Sequence, residues 1–173
     1  SLFCTDVLSY LEKSNIPEVY IFGYSMGGFV ALNFALLHPN KVKGIITLAT
    51  KFDWTKESAE REAGFLIPEK IKLKVPAFAK HLQQLHGNKW ESLVQQTSNL
   101  LKSLGVNNPL TTFQLQQIKC KVLIALGDAD KMVSLSETET AQRSISNSTL
   151  LLLPSTPHPW EQVNPQLIAA ALE

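Results

Sequence analysis

Val19-Tyr20-Ile21-Phe22-Gly23-Tyr24-Ser25-Met26-Gly27-Gly28-Phe29-Val30-Ala31-Leu32 is the stretch on which the fold turns. Val19 to Phe22 is a short run of β-branched and aromatic residues, which suits a fully buried strand. Phe29 to Leu37 is apolar, rich in Ala and Leu, and stopped by His38-Pro39, as expected of a buried helix. Between them Gly23-Tyr24-Ser25-Met26-Gly27 forms a G-x-S-x-G. A chain that passes from strand to helix in so few residues holds its central residue in an unfavourable backbone conformation. It also needs small neighbours where the helix crosses the strand, a demand that Gly23, Gly27 and Gly28 answer. Such a turn pushes the Ser25 hydroxyl out at the carboxyl edge of the sheet. It leaves the Met26 amide, at the helix start, free to donate to a developing oxyanion.

Upstream, residues 1–14 place Phe3, Val7, Leu8 and Leu11 at helical spacing, with Asp6, Glu12 and Lys13 for the wet side, and Pro17 breaks the helix. Downstream, Val42 to Ala49 repeats the buried-strand pattern. Residues 1–49 therefore close a βαβ unit and predict parallel pairing. From Asp53 to about Gln117 charges cluster, Gln is frequent and apolar residues recur at helical spacing, which predicts a helical insertion. Trp54, Phe65, Phe78, Leu82, Leu85, Trp90, Leu93 and Leu100 are expected along one apolar side of it, as core or as substrate contacts. Val122 to Leu126 resumes the strand pattern and Gly127 stops it. Ser136 with Glu139 fits a capping box for a helix running to about Ser144. Leu150 to Leu153 is the last strand, and Asn164-Pro165 starts a closing helix that is expected to end near Leu172.

A serine hydroxyl is a poor nucleophile until a base takes its proton, so a histidine is needed, and an acid to orient it. His38 sits at a helix end, and His81 and His86 lie in the charged insertion, where surface or packing roles are expected. His158 stands apart, in the proline-stiffened segment Ser155-Thr156-Pro157-His158-Pro159-Trp160 directly after the last strand. For the acid, Gly127-Asp128-Ala129-Asp130 follows the penultimate strand. Asp128 is placed to cap its own turn, and Asp130 to reach sideways toward the next loop. Asp130 is favoured, with Asp128 as the alternative.

With these residues in hand, the sequence resembles the α/β-hydrolase family: in the chain order serine, acid, histidine, in GYSMGG at 23–28, in VLIALGDAD at 122–130 and in LLPSTPHPWEQ at 152–162. The resemblance implies a mostly parallel sheet flanked by helices, with 1–52 and 118–173 as the core and 53–117 as a helical cap. Its Gly-x-x-Asp spacing selects Asp130. It further implies a hydrolase of carboxylic ester-like bonds, working through Ser25, Asp130 and His158 and an acyl-enzyme, with the Met26 amide in the oxyanion hole. Tyr24, Trp54, Phe65, Phe78 and Trp160 are the expected pocket residues, and neither a metal nor an organic cofactor is called for. Carbon–carbon bond hydrolysis, acyl transfer on the same triad and a non-catalytic binding module stand as alternatives. Members usually carry strands before the elbow and an early loop, often with His-Gly, that gives a second oxyanion amide. The N-terminal part of the fold is thus expected to be absent, because His86-Gly87 inside the insertion is a poor substitute. The elbow strand would then be an open apolar edge, covered by a complementing N-terminal segment or a second copy of the chain.

Composition narrows the rest. The 173 residues are 45% hydrophobic and 18% charged, an ordinary globular composition. Sixteen Lys and Arg against fifteen Asp and Glu give no broad positive field for nucleic acid or an anionic membrane. No apolar run reaches the length of a membrane span. Cys4 and Cys120 are far apart and outside any C-x-x-C pattern, against a disulfide scaffold or a zinc site. A small ester-like molecule is the expected ligand and the cytoplasm the expected compartment.

Overall fold

The computed structural model describes residues 2–170. Four parallel strands, β1 (Val19–Tyr24), β2 (Val42–Leu48), β3 (Lys121–Gly127) and β4 (Ser148–Leu153), form one sheet in the order β1-β2-β3-β4. Helix α1 (Leu2–Lys13) precedes β1, α2 (Met26–Leu37) joins β1 to β2, and α8 (Leu135–Ser144) joins β3 to β4. Helices α3 (Lys56–Ala63), α4 (Pro68–Lys74), α5 (Pro76–His86), α6 (Trp90–Val106) and α7 (Thr112–Leu115) fill the long connection between β2 and β3, and α9 (Pro165–Ala169) follows β4. The predicted βαβ start is present, with Gly23 opposite Thr47 and Tyr24 opposite Leu48 in a parallel register.

By contacts the chain divides into two units, one built from residues up to Phe52 and from Leu110 onward, the other from Asp53–Pro109. Residues 110–117, expected in the insertion, divide with the first unit: Leu110 and Leu115 are buried, and the turn α7 packs on α8. In that unit Leu32 and Phe34 of α2 are fully buried. Parallel register and side-chain alternation put Gly23, Thr47 and Ile124 on the sheet face that meets α2. The opposite face carries Tyr24, Leu48, Ala125, Leu151 and Leu153 against Ile168 and Leu167 of α9. In the second unit α3 packs on α6, and Ile71, Trp90 and Val94 form a small core with Leu66, Ala79 and Leu82 against it.

Three expectations need correction. Strand β1 is not fully buried: Tyr20 is 79% exposed and Phe22 is exposed too, because β1 is an edge strand and that end of the face opposite α2 is uncovered among the described residues. The N-cap of α8 is Ser134, not Ser136, and no capping box forms: the Glu137 amide donates to the Ser134 hydroxyl, which itself donates to the Glu137 carboxylate at 3.2 Å. The apolar residues of the insertion do not share one buried side, since Phe65, Phe78, Leu85 and Leu93 are exposed while Trp90 is buried. Helix α1 ends ahead of Pro17 as expected, closed by Asn15 at a positive φ of 53° and by the Ile16 amide donating back to the Leu11 carbonyl at 2.9 Å. The predicted cap of the last helix holds, with Asn164 accepting from the Gln166 amide, while the expected end near Leu172 lies outside the described residues. No helix among the described residues is long and apolar enough to cross a membrane.

Candidate active site

Ser25 sits between the last residue of β1 and the first of α2 with φ 51° and ψ −116°, a region that residues with a Cβ rarely occupy. Three hydrogen bonds hold it there. Its amide donates to the Leu48 carbonyl at 2.8 Å, and its carbonyl accepts from the Gly28 amide at 3.2 Å and from the Thr50 hydroxyl at 3.0 Å. The expected need for small neighbours is met at two of the three glycines. A Cβ on Gly23 would lie 2.5 Å from the Gly27 carbonyl carbon, and one on Gly28 would strike the Thr50 hydroxyl. Gly27 faces open space, so close packing does not explain it. The Met26 amide is the first of α2, where the backbone donors lack helical partners and the helix dipole is positive.

At the far side of the same sheet edge, His158 Nδ1 lies 2.8 Å from Asp130 Oδ2. The other oxygen, Oδ1, accepts from the amides of Met132 at 2.8 Å and Val133 at 3.0 Å, and the Asp130 side chain is 0% exposed. Burial alone would raise this carboxyl. The hydrogen bond from His158, the two amides and the His158 charge outweigh it and hold the group below the ordinary carboxyl value. An ionised carboxylate only accepts, so Nδ1 carries the proton, and in the neutral ring the Nε2 lone pair is left free. Asp128, the alternative acid, is exposed and is tied in through its backbone, its amide donating to the Leu153 carbonyl at 3.1 Å. The turn-capping role expected of Asp128 falls to Asp130, which caps and pairs at once.

The acid and histidine loops are stitched together by the Ala129 amide donating to the Thr156 carbonyl at 3.2 Å. Gly127 makes room for this, because a Cβ there would meet that carbonyl. The Tyr24 hydroxyl donates to the His158 carbonyl at 2.8 Å, with its ring 5.5 Å from the His158 ring and 5.8 Å from that of Trp160. Burial, then the charge of Glu161, pushes the Tyr24 phenol above its ordinary value, the nearby Asp130 charge adding to this and the Trp160 amide opposing it. The structure thus brings Asp130, Tyr24 and Trp160 to His158, with Ser25 next in sequence to Tyr24. Of the remaining predicted pocket residues, Trp54, Phe65 and Phe78 belong to the second unit, where Phe65 and Phe78 are exposed. His38 packs its ring 4.8 Å from Phe34, and His81 and His86 are exposed, as expected.

Sequence reasoning missed three participants: the Thr50 hydroxyl on the Ser25 carbonyl, Gly127 as the seat of Thr156, and the Tyr24 hydroxyl. Only Gly127 carried a signal, a glycine closing a buried strand directly before the acid. Among the described residues no group of three or more His, Cys, Asp or Glu could hold a metal ion.

Comparison with known proteins agrees with this topology. Residues 2–68 match the model of the family described as alpha/beta hydrolase fold. Pheophytinase, chloroplastic, of Arabidopsis thaliana is 51% identical over 49 residues, which is 27% of this chain and 10% of that protein. Bifunctional epoxide hydrolase 2 of Mus musculus is 31% identical over 51 residues, 30% of this chain and 9% of that protein. A thermophilic esterase structure from Thermogutta terrifontis superposes with a TM-score of 0.69 at 19% identity, over 98% of this chain and 68% of that one. The matched stretches span about a tenth of the length of these curated relatives. Its topology and these matches give the chain the α/β-hydrolase fold.

Proposed function

We propose that the chain carries a hydrolase site for carboxylic ester-like bonds, and the observation that bears most of the weight is the 2.8 Å pair between His158 and Asp130. His158 Nε2 takes the Ser25 proton as Oγ attacks the carbonyl. The Met26 amide holds the oxyanion, and His158 returns the proton to the leaving alcohol. Water, deprotonated by the same imidazole, then releases the acid from the acyl-Ser25 ester. Asp130 keeps the ring in the needed tautomer and steadies its positive charge. The likeness to a solved esterase supports this reading.

The unit Asp53–Pro109 has the substrate-selecting role in this reading. The open β1 edge is covered in the working protein by a further polypeptide segment or a second copy of the chain. Light scattering that finds a stable, cooperatively folding monomer counts against that cover. The cytoplasm is the proposed compartment.

Labelling with a fluorophosphonate tests the chemistry. Ser25 is expected to react, Ser25→Ala to lose the label and Cys4→Ala to keep it. Absence of labelling in the full-length protein favours a binding module instead. Turnover of diketones in preference to p-nitrophenyl esters favours carbon–carbon hydrolysis, and ester products formed with an added alcohol favour acyl transfer.

A further inference from the structure

The segment after β4 must travel before it can serve a nucleophile on β1. These are the two outer strands of the sheet, three inter-strand spacings apart, or roughly 14 Å at the usual strand separation. The segment passes the end of β3, where Thr156 is stitched to Ala129 and His158 to Asp130. It then reaches β1, where Trp160 lies against Phe22 at 5.7 Å and Tyr24 at 5.8 Å. Proline occupies both positions next to His158, so neither neighbour has an amide hydrogen with which to fasten the loop. The pair with Asp130 fixes one edge of the imidazole ring. A single hydrogen bond leaves rotation about itself, so the ring can still swing toward or away from β1.

We propose that Tyr24 is a positioning residue for His158: its hydroxyl, bonded to the His158 carbonyl at 2.8 Å, ties the backbone of the proposed base to the strand that leads into Ser25. The inference rests on the hydrolase reading above. With Asp130 holding the ring from β3 and Tyr24 holding the main chain from β1, the spacing of base and nucleophile is set by adjacent residues, Tyr24 and Ser25, rather than by a loop rooted on the opposite edge. The Tyr24 hydroxyl thus directs its hydrogen bond within the protein. The Trp160 ring lies against the same tyrosine ring at 5.8 Å, tilted by 55°.

The test is Tyr24→Phe, which keeps the ring and its contacts and deletes the hydroxyl, beside Tyr20→Phe, on the same strand face but 79% exposed. Proton NMR is expected to show the His158 Nδ1 hydrogen as a distinct signal in the wild type and in Y20F, and broadened or lost in Y24F. Backbone signals away from the loop stay put. On a p-nitrophenyl ester, Y24F is expected to lower kcat about 3- to 10-fold with KM unchanged, the cost of one hydrogen bond realised in the reacting geometry. An unaltered His158 signal in Y24F overturns the inference, and so does a fall in kcat matched by general loss of folded protein. Failure of wild-type Ser25 to label removes the hydrolase reading, whereas the NMR comparison needs no turnover and still decides what Tyr24 does to His158.

Discussion

Gly127 lies against Thr156 so closely that no side chain fits between them: a Cβ on Gly127 would overlap the Thr156 carbonyl oxygen and stand 3.0 Å from the Thr156 Cβ. That carbonyl accepts the Ala129 amide, so one contact sets the height of the histidine loop over the acid loop. Gly127→Ala must push the two loops apart. We expect a loss of about 1–3 kcal/mol in urea unfolding, in the range of overpacked sites. The His158 ring signals should shift while the spectrum of residues on the β1–β2 side stays unchanged.

Asp130 predicts a pH dependence of stability whose direction follows from its environment. The folded carboxyl is held below the ordinary value of about 3.9, so in the acid range the unfolded chain binds more protons than the folded one. The stabilisation is complete above the ordinary value and is lost as pH falls through the lower, folded one. Asp130→Asn removes this contribution. The stability difference between wild type and D130N is thus expected to be largest at neutral pH and to shrink as pH drops below about 4. Urea midpoints measured across that range check it, and a difference that grows on acidification refutes it. The same variant presents an amide to Nδ1 and is expected to lower ester turnover by roughly 10²- to 10⁴-fold.

How far the sequence was legible depends on how local each cause was. Strands β2 and β3 are covered on both faces, so their runs of Ile, Val and Leu announced them. Strand β1 has the same kind of sequence, yet Tyr20 and Phe22 are exposed, because burial at a sheet edge depends on what lies alongside and not on the strand's own residues. The strained turn at Ser25 was legible because a strand, a glycine turn and a helix are all adjacent to it. The pairing of Asp130 with His158 was legible from the two loops that follow β3 and β4. What could not be read was which carboxylate oxygen, hydroxyl or carbonyl meets which, as with Tyr24 and His158, 134 residues apart. The end of the insertion was missed for a similar reason: α7 is one helical turn whose allegiance comes from burying Leu110 and Leu115, not from its pattern.

The α8 cap gives a direct comparison between sequence pattern and structure. Ser134 and Ser136 each stand three residues before a glutamate, but only Ser134 has extended backbone at the helix start and accepts the N3 amide. Ser134→Ala is expected to cost about 0.5–2 kcal/mol, the usual range for a lost N-cap. Ser136→Ala, inside the first turn, should change stability by a few tenths at most and is expected to favour the helix slightly. Thermal melts of the two variants decide it, and equal effects would contradict the assigned cap.

Strain at Ser25 predicts an inversion of the usual rule for glycine. In most of a folded chain, replacing alanine by glycine costs about 0.5–1 kcal/mol, since glycine has more freedom to lose. At Ser25, φ 51° with ψ −116° is a conformation in which any Cβ is crowded, a cost of order 1–3 kcal/mol that the surrounding hydrogen bonds to Leu48, Gly28 and Thr50 sustain. Ser25→Gly relieves that crowding and Ser25→Ala does not. Both variants lose the hydroxyl and with it fluorophosphonate labelling. Chemical denaturation should nevertheless find the glycine variant at least as stable as the alanine one, and more stable by up to about 1 kcal/mol once glycine's greater unfolded freedom is set against the relief. If S25G proves the weaker of the two by the ordinary glycine penalty, the backbone at this position is relaxed, and the serine is not held out by strain.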